Sequence, residues 1–433
     1  MKMTISLSIV STSRKRRAVT LLEVLLSIGV VFIGLMGAAS LFPVASFQTK
    51  EGTKHERAAI VGKRAVREFR SRDMSDLSTW VARDNTGNYG SLTTAASLPP
   101  FGPLVYSPFY RVLCLDPRGL SPRGTGGITL GDTLAISVPL APALNLGNTF
   151  PALTDELMGE VARLANTNTS TFFGSFPTAT PAVSARVTLQ SAPGSTLPML
   201  AEQSDALFVV EDELDFEIPT SNTELPIQGF LASSTGNQLR RTAKGRFSWL
   251  AFIAPKLLTE TLVHPDNGPF QAPIPANSFD LWVVVLHERN LNNTALMAAE
   301  ESIAAVEVLG GGEIDLIGNP NSTASAITTL RTGDWLMLRQ SVNSDPLFDL
   351  GYYTPPMNLP PTRPWFYERM AWYRVISVDD DLRPGPSNGL SQKSVTLAGP
   401  DWAPIGNYLA GPITFAVRIE GVVGVYRKTF ELN

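Results

Sequence analysis

The chain is poor in thiols and imidazoles: among 433 residues there is one cysteine, Cys114, and three histidines, His55, His264 and His287. One thiol closes no internal disulfide, and these four residues fall short of a structural zinc site. Stability must therefore come from burial. Charged residues are also few, 17% against 44% hydrophobic, which excludes a disordered polyelectrolyte and supplies one large or two ordinary cores. Catalytic signatures are missing too. There is no Gly-x-Ser-x-Gly elbow and no His-Glu-x-x-His, and the glycine-rich RGTGGITLGD at 123–132 lacks the lysine that would meet a phosphate. His264 lies in the turn-like HPDNG and His287 ends an apolar run, so both read as structural.

What is plentiful is proline and glycine, 33 and 34 residues without a period, which favours many short elements joined by turns. Short alternating or continuous β-type runs occur at 132–140, 185–191, 206–218, 245–254, 279–288, 334–340, 372–379, 393–399 and 413–432. Helical candidates are few, chiefly 153–165 and 295–306. The expected fold is α+β, a long N-terminal helix followed by a large β-rich region over 76–433. Two subdomains dividing near the polar stretch 230–245, or one elaborated sheet domain, both fit.

Charge is unevenly placed. The first 72 residues hold 13 basic and four acidic groups, net +9, whereas the rest hold 22 basic and 35 acidic groups, net −13. An acidic body on a basic, apolar stem suits a membrane-held protein and argues against nucleic acid as a partner. Arg14, Lys15, Arg16 and Arg17 run directly into an apolar segment, and Val24 to Phe42 gives 19 residues without a charge, enough at ~1.5 Å per residue to cross a ~30 Å hydrocarbon core. An ordinary secretory signal cut near AAS at 38–40, a plain signal anchor and a buried core helix are the simpler readings. Glu23 argues against the first two, because a carboxylate in the bilayer costs ~2.5–3.5 kcal/mol unless it finds a partner. Beyond the span, Ala58, Val61, Ala65 and Phe69 recur at helical spacing between charged residues. Residues 19–75 are thus expected to form one helix, membrane-spanning over about 22–43, interrupted near Pro43 and Gly52, with its distal apolar stripe packed on the body.

Ala18, Val19, Thr20, Leu21, Leu22 and Glu23 after the basic leader resemble the prepilin cleavage and methylation motif. Ser27-Ile28-Gly29 and Gly34-Leu35-Met36-Gly37 look most like PilV-like minor pilins and the I-type pseudopilins of type II secretion. Ala18 stands where glycine is usual and Val19 where phenylalanine is usual. The resemblance covers about residues 14–72. It implies that residues 1–18 are a leader, that prepilin peptidase cuts between Ala18 and Val19 on the cytoplasmic side, and that the Val19 amine is methylated. It further implies that Glu23, assisted by Thr20, guides the subunit into a filament of other pilins or pseudopilins from the inner membrane, with the body outside the cytoplasm.

The remaining site candidates are acidic. Glu213, Asp215 and Glu217 alternate along one strand and read as a solvent face. Asp379, Asp380 and Asp381 open a loop closed by Pro384 and Gly385, and are calcium candidates without the spaced ligand pattern of a calcium loop. No other cofactor is expected. Two functions follow: a non-enzymatic minor pilin or pseudopilin, structural or priming, or alternatively a membrane-anchored binding protein or hydrolase that uses a pilin-type export signal.

Overall fold

The computed structural model describes residues 20–83, 89–91, 112–120, 149–150, 184–195, 197–199, 201–209, 214–217, 240–243, 247–264, 268–289, 300–322, 325–343, 366–386, 389–402 and 414–431. The candidate elements at 132–140 and 153–165, the glycine-rich 123–132 and Glu213 lie outside them. The chain divides into two compact units, Met1–Glu56 and Arg57–Asn433.

Helix α1 covers Leu21–Ser71. It runs unbroken through Pro43 and Gly52, where an interruption was expected. Proline removes a single ladder bond, and Thr49 and Thr53 turn their hydroxyls back onto the carbonyls of Ala45 and Thr49 at 2.8 and 2.9 Å. The helix stops at Asp73, whose φ of 50° is a left-handed turn conformation that aspartate tolerates. The Met74 N–H then bonds back to the Phe69 carbonyl at 3.0 Å, and the buried Trp80 Nε1 donates to the Met74 carbonyl at 2.9 Å.

Among the described residues three short α-helices follow, α2 (Pro117–Leu120), α3 (Ala201–Phe208) and α4 (Ala326–Thr329). The strands are β1 (Trp80–Arg83), β2 (Tyr89–Ser91), β3 (Leu113–Leu115), β4 (Thr149–Phe150), β5 (Ser184–Leu189), β6 (Leu214–Glu217), β7 (Arg240–Ala243), β8 (Phe247–His264), β9 (Gly268–His287), β10 (Glu301–Gly310), β11 (Glu313–Gly318), β12 (Trp335–Asn343), β13 (Phe366–Val378), β14 (Arg383–Pro384), β15 (Ser391–Ala398), β16 (Thr414–Ile419) and β17 (Val422–Glu431).

An open sheet has the order β17-β9-β8-β3-β5-β1-β2, with β4 paired to β5. Its strands obey a period of two, and each parity builds a separate core. Phe247, Trp249, Ala251 and Ile253 of β8, with Leu281, Val283 and Val285 of β9, meet Ala58, Val61, Ala65 and Phe69 of α1. The apolar stripe read from the sequence is thus the buried face of the helix, and Phe69 alone contributes about 1.5–3 kcal/mol of burial. The opposite parity, Leu250, Phe252, Ala254, Trp282, Val284 and Leu286, packs on a second β layer.

That second layer is a closed barrel. Strands β11, β10, β16, β12, β13 and β15 pair antiparallel in that order, and β15 returns to β11 through six residue pairs from Glu313↔Thr396 to Gly318↔Ser391. Its lumen is filled by side chains from all six strands, including Ala304, Leu316, Leu338, Tyr373, Val395 and Ala416, together with Ala326, Ile327 and Leu330 of the α4 segment. Small barrels of this size are packed cores. The outward parity, Ile303 and Ala305 of β10, Met337 of β12, Trp372 of β13 and Phe415 and Val417 of β16, meets the open sheet. The unit Arg57–Asn433 is therefore layered: helix, open sheet, barrel.

Three expectations for the β-rich region are corrected. Residues 301–306 form the start of β10 and are not helical; Ile303 and Ala305 face the open sheet while Ala304 faces the lumen, so burial on both sides overrides alanine's helix preference. Residues 206–208 close helix α3, with Phe208 stacked on Trp249 at 4.2 Å between ring centroids, leaving β6 as the strand within 206–218. The stretch 413–432, expected as one β run, is two strands in different layers, β16 in the barrel and β17 on the sheet edge. Gly421 makes the switch: its φ is 79°, its carbonyl accepts the His287 N–H at 2.8 Å, and a Cβ there would lie 2.7 Å from the His287 carbonyl oxygen. The chain leaves the sheet for the barrel between β9 and β10; of the stretch 230–245 only 240–243 is described, as β7 paired with β6.

Candidate functional site

The stem begins with a helix cap. Thr20 precedes α1, its Oγ1 accepts the Glu23 N–H at 3.3 Å, and its carbonyl accepts the same N–H at 3.0 Å. Thr-x-x-Glu at this place is a capping-box sequence, and an acidic residue in the first turn complements the positive end of the helix dipole. Glu23 thus has a local role that the sequence reading missed.

Further along, polar groups are turned inward on the helix itself. Ser27 donates to the Glu23 carbonyl at 2.8 Å and Ser40 to the Gly37 carbonyl at 2.7 Å, the usual disposal of hydroxyls in an apolar helix. The Glu23 carboxylate is exposed, and among the described residues it has no hydrogen-bond or ion-pair partner. Leu21, Leu25, Ile28, Val31, Phe32, Leu35 and Phe42, spread around the helix, are all exposed. The helix is long and apolar enough to cross a bilayer, with none of the apolar window buried. Ala18 and Val19 lie outside the described residues.

Asp379, Asp380 and Asp381 are exposed on the turn that leaves β13. The Asp379 N–H donates to the Ser394 carbonyl at 2.9 Å, which holds the turn against β15. Among the described residues, no group of three or more His, Cys, Asp or Glu is arranged to hold a metal ion. His287 stacks edge-on against Phe247 at 4.9 Å, and Asp215 and Glu217 stand opposite Thr242 and Arg240 in the β6–β7 register.

A buried ionic cluster was not foreseen. Arg186 of β5 grips Glu301 of β10 with Nη2 at 2.8 and 2.9 Å, and its Nη1 lies 3.1 Å from Asp116. Arg289, just past β9, donates from Nη1 to Asp116 at 2.8 Å and from Nη2 at 2.6 Å. All four side chains are almost fully buried. Burial works against the charge on Arg186, but Glu301 and Asp116 outweigh it and raise its pKa; burial is likewise outweighed at Arg289, mainly by Asp116. Nearby, Arg339 of β12 pairs with Glu368 of β13 at 2.7 Å, and Glu368 accepts the Val112 N–H at 2.9 Å. Both networks join the open sheet to the barrel. Cys114, opposite Arg186 in the β3–β5 register, is held well above its ordinary pKa by burial. It remains a thiol, so it is no activated nucleophile. The only trace of these groups in the sequence is a charge at an inward parity, as in ARVTL and LMLRQ.

No protein-family model matches the chain, and no curated protein or solved structure is significantly similar to it.

Proposed function

We propose that the chain is a minor pilin or pseudopilin, a structural or priming subunit of a type IV pilus or type II secretion-like filament. The observation that carries this reading is the stem: an unburied helix, apolar on all sides, whose sole charge between Leu21 and Thr49 is Glu23 of the first turn, its carboxylate without a partner among the described residues. In hydrocarbon that carboxylate costs ~2.5–3.5 kcal/mol, and its place at the positive end of the helix dipole returns only ~0.3–1 kcal/mol of that to a solitary anchor. A filament supplies what it lacks. Cleavage between Ala18 and Val19 by prepilin peptidase leaves an amine one residue before the Thr20 cap, and the amine of a neighbouring stem neutralises Glu23 while setting the axial register. The stem lies in the inner membrane with its N-terminus cytoplasmic and the unit Arg57–Asn433 outside. The buried ionic clusters hold the open sheet to the barrel, a structural role.

The test is the mature N-terminus. Intact-mass and N-terminal peptide analysis of the protein from its native membranes should find N-methylated Val19. A chain beginning after Ala39 or Ser40 would establish ordinary signal-peptide processing and remove the proposal.

A further inference from the structure

The layered order of the unit Arg57–Asn433 separates charge. On the outer side of α1, away from the open sheet, Ile60, Lys63, Arg67 and Arg70 form one exposed stripe at helical spacing. Arg64 and Arg72 share the carboxylate of Glu68 at 2.8 and 4.0 Å. Lys63, Arg67 and Arg70 have no carboxylate partner among the described residues. From Arg57 to Arg72 there are six basic residues and one acidic residue.

The far wall of the barrel has the opposite sign. The buried barrel residues that meet the open sheet come from β10, β12, β13 and β16, and strands β11 and β15 close the ring beyond them. Glu307 of β10 stands opposite Asp315 of β11, Asp315 opposite Ser394 of β15, and Asp379 hangs from Ser394 by its N–H. Glu313 lies in the next row opposite Thr396, and Asp380 and Asp381 continue the exposed turn. Of these carboxylates, Asp315 is matched by Arg383 at 3.0 Å. Glu307, Glu313, Asp379, Asp380 and Asp381 are exposed.

We infer that the basic stripe of α1 docks on the acidic β11–β15 wall of a second copy of this chain. The two patches are complementary and occupy opposite outer layers, so one molecule cannot bring them together. A contact between unlike patches of identical subunits is head-to-tail and leaves a free patch of each sign at the ends, so it extends a row of copies. A two-fold dimer through the helix would instead set Lys63, Arg67 and Arg70 against themselves. The inference goes beyond the stem reading and needs neither cleavage at Val19 nor the Glu23 contact, because it stands on this unit alone.

Cross-linking of the full chain in phosphatidylcholine vesicles tests it. Arg67→Cys and Asp379→Cys variants, each exposed and each retaining the buried Cys114, are reconstituted separately and together and treated with a short bismaleimide. The mixture should give a 67–379 dimer that neither variant gives alone. Its yield should fall roughly tenfold or more on Lys63→Glu with Arg70→Glu, and return when Glu307→Lys and Glu313→Lys are placed on the other copy. It should also fall between 0.1 and 1 M salt, as the Debye length shrinks from about 10 to about 3 Å. A 67–67 product without the 67–379 product, no product, or a yield indifferent to charge reversal would overturn the inference. So would co-sedimentation with phosphatidylglycerol vesicles that depends on Lys63 and Arg70 while no 67–379 product forms, which would assign the stripe to anionic lipid.

Discussion

Gly62 sits in the buried stripe of α1, against the Tyr426 ring of β17. A Cβ at this position would lie 2.8 Å from Tyr426 Cγ and closer still to Cδ2 and Cε2, overlapping that side of the ring. Two terms oppose each other in Gly62→Ala. Helix propensity favours alanine by about 1 kcal/mol, whereas overpacking costs roughly 1–3 kcal/mol, and a methyl aimed into a ring belongs at the upper end. The net is a loss of about 1–2 kcal/mol in docking of the helix, an increase of roughly 5–30-fold in the undocked population. Trypsin reads this directly, since Lys63, Arg64 and Arg67 follow Gly62 and become cleavable when the helix lifts. In detergent-solubilised full chain, cleavage at these sites should accelerate by that factor in Gly62→Ala and by more in Gly62→Val. Tyr426→Ala should relieve most of the effect of Gly62→Ala in the double variant. Cleavage of Gly62→Ala at the wild-type rate or slower would show that propensity governs the site and refute the packing argument.

Removing one member of the buried ionic cluster should be severe: Arg186→Met leaves Asp116 and Glu301 with Arg289 alone, and a loss of about 3–5 kcal/mol is expected in denaturant unfolding of the unit. Cys114 should resist maleimide at pH 8 in the folded chain and react only on unfolding. Its folded pKa lies above the ordinary 9.0, so the unfolded chain ionises first and the thiol's contribution, intact below about pH 9, is lost as pH rises further. The slope approaches ~1.4 kcal/mol per pH unit until the folded thiol titrates, and Cys114→Ala should abolish that component of alkaline destabilisation.

The parts of this fold legible in the sequence are those in which one periodicity governs. Ala58, Val61, Ala65 and Phe69 have a single environment, the open sheet, and their spacing located the helix and its buried face. Strands β5, β8, β9, β12, β13 and β15 likewise announced themselves by β-branched and aromatic runs. Barrel closure left no such mark, because the β11–β15 pairing joins segments about 80 residues apart through ordinary strands. β10 was misread because alanines suit a helix until both faces are buried. The ionic cluster was illegible for the same reason: Asp116, Arg186, Arg289 and Glu301 converge only through the crossing of β3, β5, β9 and β10, and each alone looks like a surface charge. The stem residues Thr20 and Glu23 were readable because their neighbourhood is local, although the cap that links them emerged from geometry.

The central claim, that the stem enters a filament through Glu23, is tested most directly by incorporation. Wild type and Glu23→Leu are compared at equal membrane levels for the fraction of processed protein recovered in sheared filaments or cross-linked to companion pilins. Glu23→Leu removes the buried-charge penalty, so it should insert at least as well and should still be cleaved, yet it should be depleted from the assembled fraction. Equal incorporation of the two proteins would contradict the account and leave Glu23 as the first-turn partner of the Thr20 cap.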